Sequence, residues 1–132
     1  MTHNNIYFDL VRNTVGRIES WFSGADSSDA LYEKLMADFT AAFSMITMGG
    51  TELGYPEICA FFKAHGKTKP GLQITLENMA IIYETSDGAV VTYQEIQHQT
   101  GHQPDKRLST AVLVKDQNMQ VRWKHLHETT AA

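Results

Sequence analysis

The sequence predicts an α+β fold in which a curved, mostly antiparallel sheet wraps around a long N-terminal helix. Three observations lead there. Helical periodicity is confined to the first half of the chain, alternation of period two fills the second half, and short turn signals separate the strands. At 132 residues the chain fits one domain, 1–132, with a core of about 5–129. A hydrophobic content of 42% is enough for that core and argues against disorder.

Residues 5–23 form the first helix. Tyr7, Val11, Val15, Ile18 and Phe22 recur every three or four positions on one face, Leu10, Thr14 and Trp21 widen that stripe, and Gly24 ends it. Ser28 or Asp29 caps a second, shorter helix with Leu31, Leu35 and Met36 inside. From Phe39 the pattern alternates: Phe39, Ala41, Phe43 and Met45 face one way and Thr40, Ala42, Ser44 and Ile46 the other. Gly49-Gly50 and Gly54 bracket a turn or a very short strand. A third helix follows in "YPEICAFFKAHG", begun by Pro56 and stopped by Gly66, with Ile58, Cys59, Phe61 and Phe62 inward.

The rest reads as strands. Leu72, Ile74 and Leu76 alternate, then Met79, Ile81 and Tyr83 move to odd numbering, which predicts a bulge near Glu77-Asn78. Ser86-Asp87-Gly88 is a hairpin turn between this strand and 89–99. Strands at 107–115 and 119–129 follow, joined by Asp116-Gln117-Asn118, with a frayed tail after them. Helices can cover only one face of such a sheet, and a twisted, bulged sheet curling around the first helix leaves a cavity between them.

Bulk composition removes several function classes. Fifteen acidic against eleven basic residues give a net charge of −4, and no basic run exceeds Asp105-Lys106-Arg107, so no nucleic acid is expected as a partner. No apolar run is long enough to span a membrane, and "MTHNNIYFDL" lacks the pattern of a secretion signal. A single cysteine, Cys59, suits a reducing compartment, so a cytoplasmic protein is expected.

The element order, "SDGAVVTYQEIQ" and the closing hairpin "LSTAVLVKDQNMQVRWKHLHET" resemble the nuclear-transport-factor-2-like superfamily, in its SnoaL-like branch. The family's last hairpin ends in an aromatic-rich strand and His-x-Ser or His-x-Thr, supplied here by "HET". The resemblance covers about 5–129. It implies a cone-shaped, half-open sheet closed by the first helix, and commonly a dimer. Relatives include isomerases, dehydratases, polyketide cyclases and proteins without catalysis, so function must be argued from the pocket.

Strict alternation in the last strand puts Val121, Trp123, His125, His127 and Thr129 on one face, and Arg122, Lys124, Leu126 and Glu128 on the other. The first set, with its aromatic and imidazoles, is assigned to the concave side. By resemblance Tyr93 and Glu95 share the pocket, with Trp21 or Phe22 from the helix and Phe43 from the first strand. Burial beside apolar rings raises a carboxyl pKa, which makes Glu95 the expected general base. His125 is the expected acid or second base, and Tyr93 a hydrogen-bond donor to a developing enolate. The set fits cofactor-free proton transfer next to a carbonyl, as in an isomerase, dehydratase or cyclase, on a small apolar or carbonyl-containing ligand. The alternative is a non-catalytic ligand-binding or oligomerisation module.

Trp123 and His127 are expected to touch the ligand, Arg107 to anchor an anionic group at the mouth, and Asp38 matches a position that is sometimes acidic in the family. Each has a plainer reading. Glu95 and His125 can satisfy each other, Trp123 can simply pack, Arg107 can be a loop residue beside Asp105, and Asp38 an ordinary exposed acid. His-x-His with Glu95 resembles a metal set, but the further ligand strand of a cupin is missing before Ala132, so no metal is expected. His3, His65, His98 and His102 are read as surface residues and Cys59 as structural. Val90, Thr92, Ile96 and part of "TAVLV" leave apolar side chains on the uncovered face, which predicts a homodimer.

Overall fold

The computed structural model describes residues 5–131; His3 lies outside them. Three helices and six strands follow in the order α1 (Ile6–Ser23), α2 (Asp29–Ala37), β1 (Phe39–Ile46), β2 (Glu52–Gly54), α3 (Tyr55–Ala64), β3 (Gln73–Thr85), β4 (Gly88–His98), β5 (Asp105–Lys115) and β6 (Val121–Thr130). The strands form one sheet in the order β2-β1-β6-β5-β4-β3. All neighbours are antiparallel except β1 and β6, which run parallel.

Local chemistry accounts for the helix ends. The Asn5 side chain accepts hydrogen bonds from the backbone N–H groups of Tyr7 and Phe8, and Gly24 takes the left-handed conformation that closes α1. Ser28 caps α2 through the Leu31 N–H. Pro56 sits in the first turn of α3, where its missing N–H costs nothing. The helix ends one residue before His65, and Gly66 serves a different need. A Cβ there would come within 3.1 Å of the Trp21 ring, so the glycine makes room for the indole.

Irregularities curve the sheet. Asn78 adopts a left-handed conformation where the β3–β4 register shifts, which matches the bulge expected there. A second shift lies between Ile81 and Tyr83, others occur in β1 and in β6 at Lys124. Each adds local twist, so the sheet wraps α1 instead of lying flat. At the β3–β4 turn a Cβ on Gly88 would collide with the Leu113 carbonyl, so only glycine fits.

The core sits between the concave face and the helices: Tyr7, Val11, Thr14 and Leu35 meet Phe43, Val91, Ala111, Leu113 and Trp123. Three expectations are corrected. Phe61, expected inward, is 43% exposed, although part of its ring reaches the cavity described below. The tail does not fray at residue 129, since β6 continues through Thr130 and the Ala131 N–H bonds to the Lys106 carbonyl. The last strand does not keep one alternation, and this decides the make-up of the site.

Candidate functional site

Between α1, α3 and the concave face lies a cavity of about 350 Å³, within the range of small-molecule sites. α1 contributes Thr14, Val15, Ile18 and Phe22; α3 contributes Ile58, Phe61 and Phe62. Two aromatic groups wall it. Phe39 meets Phe43 edge-on with centroids 4.7 Å apart and lies 6.0 Å from Trp123, while Phe22 lies 5.4 Å from Phe62 and 6.1 Å from Phe61. Met48 and Gly49, in the β1–β2 connection, also line it.

The polar side chains come from β4, β5 and β6. Tyr93, Glu95 and Gln97 alternate inward on β4, Arg107 stands opposite Glu95 on β5, and Glu128 pairs in register with Ser109, itself opposite Tyr93. Gln97 Nε2 donates to Glu95 Oε2 at 2.7 Å. Arg107 donates to Glu128 Oε1 at 3.2 Å and to Asp105 Oδ2 at 2.6 Å. Glu95 and Glu128 are both buried. Burial pushes the Glu128 carboxyl up to about 7, with the Glu95 charge adding to it and Arg107 opposing it. Burial likewise raises Glu95, against the hydrogen bond from Gln97. The Tyr93 hydroxyl is held well above its usual range by burial, then by the neighbouring Glu95 and Glu128. A carboxyl that titrates near neutrality can both accept and donate a proton there.

Of the residues singled out in the sequence, Phe22, Phe43, Tyr93, Glu95, Arg107 and Trp123 line the cavity. His125 and His127 do not. Trp123 pairs with Leu113 and His125 with Val112, so Lys124 is an extra residue in β6 and the alternation restarts in the opposite phase. Leu126 and Glu128 therefore face the cavity, and the two imidazoles face the outside. His125 Nδ1 lies 2.8 Å from Ser44 Oγ, in a shallow cleft at the sheet's outer edge with Glu52 and Glu57. His125 is thus corrected as the cavity's acid and His127 as a ligand contact.

Trp21 and Asp38 also lie outside the lining. Trp21 points between α1 and α3, donating to the Phe62 carbonyl at 2.6 Å. Asp38 Oδ2 accepts from Thr14 at 2.8 Å and from Arg17 at 2.6 Å, and Thr14 Oγ1 in turn accepts from Trp123 Nε1 at 2.9 Å. This chain locks the indole that walls the cavity, so Asp38 positions instead of contacting. Arg107 is engaged by two carboxylates, so it is not a free anion anchor.

Sequence reasoning missed Glu128, Gln97 and Lys69. Leu126 was the available signal, an apolar residue among Arg122, Lys124 and Glu128 on a supposedly solvated face. Lys69 is placed by tertiary contacts, since the Lys67 and Lys69 N–H groups bond to the Trp21 and Phe22 carbonyls at the end of α1. Among the described residues no group of three or more His, Cys, Asp or Glu is arranged to hold a metal. None of their helices is long and apolar enough to cross a membrane.

Comparison with known proteins agrees with this architecture. An NTF-2-like protein of unknown function from Pseudomonas aeruginosa is 33% identical, with 97% of this chain and 100% of that chain covered and a TM-score of 0.91. A candidate ketosteroid isomerase from Parabacteroides distasonis shares the fold at 11% identity and a TM-score of 0.70, over 95% of this chain and 85% of that one. The association domain of C. elegans CaMKII does so at 18% and 0.70, over 94% and 95%. No curated protein matches. The SnoaL-like domain family matches residues 17–130, which include every cavity-lining side chain of the sheet and both carboxyls of its polar end. The chain belongs to the SnoaL-like domain family, in the nuclear-transport-factor-2-like, cystatin-like fold.

Proposed function

We propose that this protein binds a small, largely apolar ligand in the cavity and exchanges a proton with it through Glu95. The observation that carries the reading is the junction of an aromatic-walled cavity with two buried carboxyls whose protons are held unusually tightly. Glu95 acts as the base toward a carbon beside a carbonyl, Tyr93 donates to the oxygen that gains charge, and Glu128 takes the second acid–base place first given to His125. The reaction class is a cofactor-free isomerisation, dehydration or cyclisation. Cys59, the sole cysteine, fits work in a reducing compartment such as the cytoplasm.

Native mass spectrometry of protein purified from its own host tests the binding, by a co-purifying small molecule. Glu95→Gln should leave that ligand's affinity within about threefold while removing its solvent proton exchange by about a hundredfold or more. Unchanged exchange in that variant sinks the catalytic part.

A second reading has its own support. The convex face carries Val90, Thr92, Leu108 and Val112 under no helix, and Leu108 is 48% exposed. That face suits a second copy of the chain, and the fold is shared with an association domain. Sedimentation showing a monomer at every concentration would remove this assembly role.

A further inference from the structure

We propose that the polar end of the cavity is an ammonium site: the ligand carries a protonated amine on an apolar, ring-bearing body, and Glu128 is its counter-ion. This rests on the cavity being a ligand pocket; it keeps Glu95 as the base and gives Glu128 the counter-ion's place instead of the second acid–base one.

Charge is the first argument. Three carboxyls, Glu95, Glu128 and Asp105, gather around the single guanidinium of Arg107. An anionic ligand meets a guanidinium whose charge two carboxylates already answer. One terminal nitrogen is bound to Glu128, the other to Asp105, and Nε is buried without accessible surface. The other cation of the lining, Lys69, rests its ammonium 5.1 Å from the Phe22 centroid and influences Glu95 less than Arg107 does.

Acceptors are the second. Glu128 is 95% withdrawn from solvent, with a relative exposure of 5%, yet only its Oε1 has a donor among the described residues. Glu95 is likewise bonded through Oε2 alone. The cavity therefore offers two carboxyl oxygens that Arg107 and Gln97 do not engage, and neither is among the side-chain atoms sealed from solvent, so a ligand's donor can reach them. The walls are the third. Phe39, Phe43 and Trp123 line the cavity away from its carboxyls, which suits the apolar, ring-bearing body behind the charged head.

The groups that act on Glu128 are Glu95 from β4 and Arg107 and Asp105 from β5; Tyr93 and, from the loop before β3, Lys69 are the other ionisable side chains of the lining, and among the described residues α1, α3, β1 and β2 add none. An ammonium replaces the proton that Glu128 otherwise keeps. Below its pKa that proton must leave first, so amine affinity rises with pH and levels off above about 7.

The test is calorimetric titration of the intact protein with phenylbutylamine, phenylbutanol and phenylbutyrate, which share a body and differ in head group. The expected result has the amine tightest, gaining about tenfold in affinity between about pH 6 and 8. The alcohol should show little pH dependence and the carboxylate should bind weakest. Glu128→Gln should weaken the amine by about tenfold or more and erase its pH dependence, with the alcohol within about twofold. An alcohol or carboxylate that binds as tightly as the amine overturns the ammonium site while the pocket stands. Binding of none of the three overturns both. The wild-type pH series decides the matter even if the variant fails to fold.

Discussion

The last strand presents two different molecules on either side of Lys124. Before it, Trp123 turns inward, bonded to Thr14 and packed on Phe39, as plain alternation requires. After it the same alternation runs in the opposite phase, so Glu128 enters the cavity and His125 and His127 leave it. One inserted residue thus exchanges a pair of imidazoles for a carboxyl. The inner half is buried, aromatic and charge-coupled; the outer half is half-exposed, with His125 resting on Ser44. The same few residues therefore separate a ligand chemistry from a surface.

The largest effect should come from the inner half. Trp123→Ala removes a 2% exposed indole and breaks the Trp123–Thr14–Asp38–Arg17 chain. Urea unfolding should show a loss of about 3–5 kcal/mol. A loss below about 1 kcal/mol would mean that the indole does not anchor the wall.

Next comes the pH dependence of stability. An unfolded Glu128 releases its proton near the ordinary glutamate value of 4.5, whereas in the fold it holds the proton up to about 7. Between those values the folded chain binds more protons, so its stability falls as pH rises, by about 3 kcal/mol over the window. Glu95, also raised, adds in the same direction. Thermal melts from about pH 5 to 8 should show the decline, and Glu128→Gln should flatten it. A wild-type curve that rises across this window would reverse the assignment of Glu128 as buried and strained.

The outer half should respond far less. The double variant His125→Ala, His127→Ala should change stability by about 0.5 kcal/mol or less and leave cavity ligands within about twofold. If it instead abolishes binding while Glu128→Gln does not, the phase of β6 is opposite to the one described. Smallest of all should be the folding effect of Leu108→Glu, because the side chain stands in solvent at 48% exposure. Its expected consequence is in sedimentation alone, a shift from dimer toward monomer at unchanged melting temperature.

Much of the architecture was legible because it depends on local chemistry. The spacing of Tyr7, Val11, Val15 and Phe22 on α1 and the Ser86-Asp87 turn need only near neighbours to act. The position of Asn78 followed from a visible change of phase among apolar residues. Alternation on an uninterrupted strand put Tyr93 and Glu95 on one face, the family resemblance assigned that face to the pocket, and both side chains line the cavity. The bulge at Lys124 left only the faint trace of Leu126 among charged neighbours, outweighed by His125 and His127, which look as suitable for a pocket as Glu128.

Sequence alone determined the α+β class, the order of elements, and the faces of the strands that run without a bulge, since periodicity and turn residues act within a few positions of themselves. The tertiary structure decided the phase of β6, the capture of Arg107 by Glu128, and the removal of Asp38 to a supporting network. Those depend on strand pairing and on the electrostatics of groups 21 positions or more apart in the chain, as Arg107 with Glu128 and Arg17 with Asp38 both are, and no local pattern encodes them.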